Sequence, residues 1–136
     1  MIPSDINAKK YPISIKGIVT VNDKFVLLKN EREEWELPGG KIEIGESAED
    51  GVVREIKEEL NLDGEVDRLV DVWMYNILNK ANVFIVTYLC KPIYLDESKV
   101  QISHEHKEFG FFEFSELENL NMPEGYKNSI KKCFDV

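Results

Sequence analysis

Between Gly40 and Leu62 the chain reads GKIEIGESAEDGVVREIKEELNL. Ser47 is a good helix N-cap, and Glu49 and Asp50 suit the positive end of a first turn. The run Ala48 to Leu60 is free of proline and predicts a helix. At roughly 100° per residue, Val52, Val53, Ile56 and Leu60 fall on one stripe, the expected core face. Glu55, Glu58 and Glu59 stand at i, i+3 and i+4 and are expected to cluster on another face. Carboxylates that close repel by a few tenths of a kcal/mol per pair on an exposed helix. A hard divalent cation reverses that cost, because magnesium takes oxygen ligands and binds carboxylates together with phosphates. The competing reading is a solvated acidic face. The Leu37-Pro38-Gly39-Gly40 turn before the helix, and the spacing to Glu46, favour the metal. Gly39 and Gly40 permit positive φ and a close approach of backbone to ligand. Asn61, after the last helical residue, suits a left-handed helix end.

The rest of the chain reads as hairpins and short helices. Strands are expected over Ile13 to Val21 and Lys24 to Lys29 around an Asn22-Asp23 turn. A short strand, Trp35 to Leu37, follows. Val66 to Leu78 and Asn82 to Lys91 form a second strand pair around Asn79-Lys80, and Gly110 to Phe114 is a further strand. Ser115 is expected to cap a short helix, Glu116 to Leu120. Pro123 opens a last helix with Tyr126, Ile130, Cys133 and Phe134 along one stripe. The order is mixed α/β, and the length, residues 1–136, suits a single domain.

The spacing of the first segment is similar to the Nudix box. Five residues after Gly40 comes Glu46, and seven residues later come Arg54 and Glu55, then Ile56, one spacer, and the pair Glu58 and Glu59. Leu62 supplies the final apolar position. One position departs: the family has glycine where this chain has Asn61. The resemblance implies a Nudix fold, a mixed β-sheet sandwiched between α-helices. It implies a hydrolase that cleaves a phosphoanhydride bond in a nucleoside diphosphate derivative. A nucleoside triphosphate releasing pyrophosphate or phosphate is the first substrate expected. Ile77 to Lys80 lacks the proline or tyrosine of some subfamilies, which disfavours ADP-ribose and dinucleoside polyphosphates. Metal ligands would be Glu55, Glu58, Glu59 and the carbonyl of Gly39, holding Mg2+, with Mn2+ as a substitute. A water activated by the metal would attack phosphorus, and Glu55 or Glu105 would take its proton. The alternative is a non-enzymatic module that binds or senses a nucleotide, though such relatives commonly have broken boxes.

Outside the box the signals divide. Arg54 is expected to orient a glutamate, Glu46 first, by charge-assisted hydrogen bonding; it can equally only balance surface charge. Ser103 to Gly110, SHEHKEFG, reads as a polar connector offering Glu105 and Glu108. His104 and His106 lack metal-ligand spacing. Lys29 and Arg32, just upstream, are candidates to meet the terminal phosphates, although Arg32 lies in a charged stretch, Asn30 to Glu34, that reads most simply as a loop. Trp35 either stacks on a base or belongs to the core, with core favoured. Trp73 and Tyr75 share one strand face and carry the same two readings.

Charge and composition narrow the partners. A net charge of −9 argues against a nucleic-acid backbone and for a small nucleotide screened by cations. Two cysteines, Cys90 and Cys133, do not make a disulfide framework and read as core residues. The N-terminus lacks signal-peptide features, and no apolar run is long enough for a bilayer, so a cytoplasmic protein without membrane contact is expected. Monomer and homodimer both fit this reading.

Overall fold

The computed structural model describes residues 10–93, 100–101 and 108–134. The strands are β1 (Ile13–Val21), β2 (Lys24–Lys29), β3 (Trp35–Glu36), β4 (Gly39–Lys41), β5 (Gly64–Ile77), β6 (Ala81–Pro92) and β7 (Glu108–Phe112). The helices are α1 (Ala48–Leu60), a 3-10 helix over Phe114–Asn119, and α2 (Glu124–Phe134). The strands form one mixed sheet in the order β3-β2-β1-β6-β5, with β4 paired to β1 and β7 to β2. β1 runs parallel to β6 and antiparallel to β2 and β4. No helix among the described residues is long and apolar enough to cross a membrane.

Alternation along β1 and β2 builds a core on each face. Ile15, Val19, Val21, Val26 and Leu28 pack with Val52, Ile56 and Leu60 of α1. Ile18, Phe25 and Leu27 pack with Tyr126, Ile130 and Cys133 of α2. A strand buried on both faces needs apolar residues at odd and even positions alike. The result is the expected sheet between helices. Cys90 and Cys133 are both buried and free, one in each core.

The ends of α1 form as the sequence predicts. Ser47 Oγ accepts from the N–H of Asp50 at 3.1 Å, and Asn61 sits left-handed at φ 58° with its N–H on the Lys57 carbonyl. Other boundaries move. β7 begins at Glu108 rather than Gly110 and ends at Phe112. The 3-10 helix is capped by Glu113, which exchanges hydrogen bonds with Glu116, and not by Ser115. A carboxylate three residues before another can close a capping box as a hydroxyl does. Val53 is only half-buried, and Phe134 is exposed, reaching Phe25 and Phe114 at the rim of the second core.

β4 has no strand signal of its own: its residues are Gly39, Gly40 and Lys41, and β1 imposes the pairing Ser14↔Lys41, Ile15↔Gly40 and Lys16↔Gly39. Gly39 has φ +143°, and a Cβ there would lie 2.0 Å from the Ile15 carbonyl oxygen and 2.8 Å from Lys16 Cα. Both obstacles are backbone and cannot turn aside. Gly39→Ala is therefore expected to cost about 2–5 kcal/mol, the sum of a strained φ and overpacking. A urea midpoint that falls with an unchanged m-value checks this; a midpoint equal to the parent's contradicts it.

Candidate active site

β4 and the turn before α1 bring the box together. Gly39 is buried, and its N–H donates to Glu59 Oε1 at 3.0 Å. Gly40 lies against Glu55: a Cβ there would be 2.8–2.9 Å from the carboxylate atoms of Glu55. Glycine at this position lets strand and helix close on one another.

Arg54 is the centre of the arrangement. Its Nε and Nη2 donate to the two oxygens of Glu46 at 2.9 and 2.7 Å, a bidentate pair. Nη1 donates to Glu55 Oε1 and to Glu58 Oε2, each at 3.1 Å, and lies 3.5 Å from Glu43 Oε1. Nη2 also reaches the carbonyl of Lys41 at 3.2 Å. One planar fork thus ties the connection from Lys41 to Glu46 onto α1 and sets the rotamers of Glu55 and Glu58. The arginine's own pKa is raised, first by its hydrogen bonds with Glu46.

Hydrogen bonds from Arg54 and from the N–H of Glu43 hold the Glu46 carboxyl at about 2, below its ordinary 4.5. A group with a depressed folded pKa stabilises the fold fully above its unfolded value. That contribution is lost as pH falls through the folded value. We expect the thermal midpoint to drop between pH 4.5 and 2, and Glu46→Gln to flatten that drop. Identical acid profiles for parent and variant would remove Glu46 from the account.

The three glutamates of α1 do not form the single cluster that their spacing suggests. Glu59 is 4% exposed and turned toward the core side, while the Glu58 side chain is 58% exposed. The reason is helical phase: Glu59 follows Val52 and Ile56 by seven and three residues, so it lies on their stripe. Among the described residues no three acidic or imidazole groups converge closely enough to cage an ion. The donor chemistry nevertheless suits a hard divalent cation. The carbonyl of Gly39 and the carboxylates of Glu55, Glu58 and Glu59 are all oxygen donors, and two of them already face one positive centre, Arg54 Nη1.

Beside the box lies an open cavity of about 210 Å³. Apolar and aromatic residues make most of its wall, among them Tyr75, Val83, Ile85 and Tyr126, and Gly40, which packs on Glu55, also lines it. Arg32 lines it, as a residue expected to touch substrate. Trp35 and Glu46 are not part of its lining. Trp35 packs edge-on against Phe112 at 4.8 Å, with Lys29 Nζ 5.1 Å from its ring centre. Trp73 packs edge-on to Tyr126 at 5.1 Å in the second core, whereas Tyr75 both joins that core and faces the cavity. Glu108 opens β7 and pairs with Lys29 at 3.0 Å, so it belongs to a strand and not to a polar connector. Glu105, His104 and His106 lie outside the described residues. The sequence reading missed Lys16, Glu36, Lys41 and Tyr126 as cavity residues. Only Lys16 gave a signal, a lone cation in an apolar strand.

The amino-acid sequence matches the NUDIX domain family model over residues 10–133. The chain belongs to the Nudix family. This Nudix chain is 29% identical over 113 residues to the ADP-ribose pyrophosphatase of Methanocaldococcus jannaschii, covering 79% of this chain and 65% of that protein. It is 37% identical over 84 residues to a MutT-like protein of Streptomyces ambofaciens, covering 60% and 53%. It therefore spans between half and two-thirds of the length of these relatives. The MutT protein of Methanosarcina mazei Go1 shares its fold with a TM-score of 0.79 at 22% identity, over 91% of this chain and 93% of that one. A UDP-X diphosphatase superposes with a TM-score of 0.74 at 25% identity, over 92% and 62%.

Proposed function

We propose that this Nudix chain acts as one domain and hydrolyses a phosphoanhydride bond in a nucleoside diphosphate derivative, with Mg2+ as cofactor and Mn2+ as a substitute. The observation that supports the reading is Gly40, which lines the cavity and packs so close to Glu55 that a Cβ there would lie 2.8–2.9 Å from its carboxylate, so that cavity and box share one residue. Glu55, Glu58, Glu59 and the Gly39 carbonyl would hold the metal, which when bound polarises phosphate oxygens and acidifies water. Arg54 holds the carboxylates of Glu55 and Glu58 through Nη1. Glu55 accepts the proton of the attacking water; Glu105 is the second candidate for that role. The cavity wall receives the nucleoside and excludes water from its face.

A nucleoside triphosphate is the first substrate on this reading. Relatives named ADP-ribose pyrophosphatase and putative 8-oxo-dGTP diphosphatase put ADP-ribose and oxidised nucleotides into the same panel. The test is a screen of these compounds with magnesium, reading phosphate and pyrophosphate release. Release from at least one class supports the reading. Saturable nucleotide binding without release from any of them overturns it in favour of a binding module.

A further inference from the structure

Lys16 is a cation at a position where β1 otherwise carries apolar side chains. It shares the α2 face of the strand with Ile18 and is 6% exposed. A buried ammonium is costly unless its surroundings compensate it. The Lys16 Nζ donates to the Gly39 carbonyl at a long 3.5 Å and lies 5.9 Å from the centre of the Tyr126 ring.

The ammonium forms part of the cavity wall, which Arg32 and Lys41 also line against one carboxylate, Glu36. Arg32 is already paired with Glu34 at 2.9 Å, whereas the Lys16 ammonium, a group with three donors, makes its long hydrogen bond to the Gly39 carbonyl. The charges are not spread evenly in function. Lys16 touches Gly39, the residue that also hydrogen-bonds Glu59, so it stands between the apolar wall and the box. On the proposed function a nucleotide has its nucleoside in this cavity and its phosphates toward the box, and Lys16 lies in the cavity wall with its Nζ on Gly39.

We propose that Lys16 binds the phosphate that joins the nucleoside to the rest of the substrate, and so makes the cavity select nucleotides over nucleosides. The assignment rests on the cavity being the nucleoside site of the proposed function. It needs no turnover to be tested. Binding of GMP and guanosine, and of AMP and adenosine, is measured by calorimetry in EDTA, so that no metal supplies charge. The parent is expected to prefer the monophosphate of at least one pair by about tenfold to a hundredfold, the span of a charge-assisted hydrogen bond. Lys16→Met is expected to bring that preference to within about twofold of unity while nucleoside affinity stays level. Lys16→Arg should keep part of it. In the unsubstituted protein, the 13Cε resonance of Lys16 should shift on adding the monophosphate and not the nucleoside, a readout that survives if Lys16→Met does not fold. An unshifted resonance overturns the proposal. So does a Met variant that keeps the preference or loses both ligands equally, as a merely structural lysine would. A parent that takes nucleoside and monophosphate equally, or neither, overturns it too. A protein that shows the preference yet hydrolyses nothing contradicts the proposed reaction and leaves the role of Lys16 standing.

Discussion

Chelation of divalent cations by EDTA is expected to abolish turnover, and magnesium or manganese to restore it. The expectation follows from charge. A polyphosphate reaching the box meets Glu55 and Glu58, whose shared positive neighbour is Arg54. That arginine is already committed to Glu46 through two hydrogen bonds and to the Lys41 carbonyl. It has little to offer a phosphate. An added divalent cation takes carboxylate and phosphate oxygens together and converts the repulsion into attraction. The measurement is the initial rate in EDTA, followed by titration with each metal. A rate in EDTA equal to the rate in magnesium would sink the metal requirement.

Glu59→Gln is expected to lower turnover at least about a hundredfold, the usual consequence of removing one preorganised electrostatic group. Glutamine keeps the size of the side chain and an oxygen able to accept from the Gly39 N–H, but not the charge. Glu59→Ala separates two roles. It also deprives a buried N–H of its acceptor, at a cost of about 1–3 kcal/mol in stability. Glu58→Gln, at an exposed site paired with Arg54, should lose turnover with a stability change of about 0.5 kcal/mol or less. Rates and urea midpoints for the three variants decide. A Glu59→Gln enzyme with near-native turnover takes that carboxylate out of the reaction and leaves it a brace for the turn.

The contrast between Glu58 and Glu59 shows where the amino-acid sequence could be read and where it could not. The caps of α1 were legible because Ser47 and Asn61 act locally. The pairing of Arg54 with Glu46 is legible in complementary charge, and its bidentate form is seen only in the structure. The burial of Glu59 was present in the helical phase but hidden by its charge. β4 was not legible, because two glycines and a lysine become a strand only when β1 pairs with them. Glu108 read as part of a connector because its neighbours in sequence are polar, whereas its place is fixed by Lys29 across the sheet. The cavity was least legible of all. Lys16, Arg32, Tyr75 and Tyr126 come from four separate parts of the chain, and only the tertiary fold makes them neighbours.

That dispersal bears on how such a protein can change over generations. The carboxylates stand on α1, while Tyr75 and Ile77 of the wall stand at the far end of β5, an edge strand. A substitution at Tyr75 or Ile77 alters what fits without disturbing a rotamer held by Arg54. Drift at the sheet edge can therefore explore new occupants while the carboxylates and arginine of the box stay in place. Descent can conserve the one and diversify the other, residue by residue, with no intermediate form having to lose both.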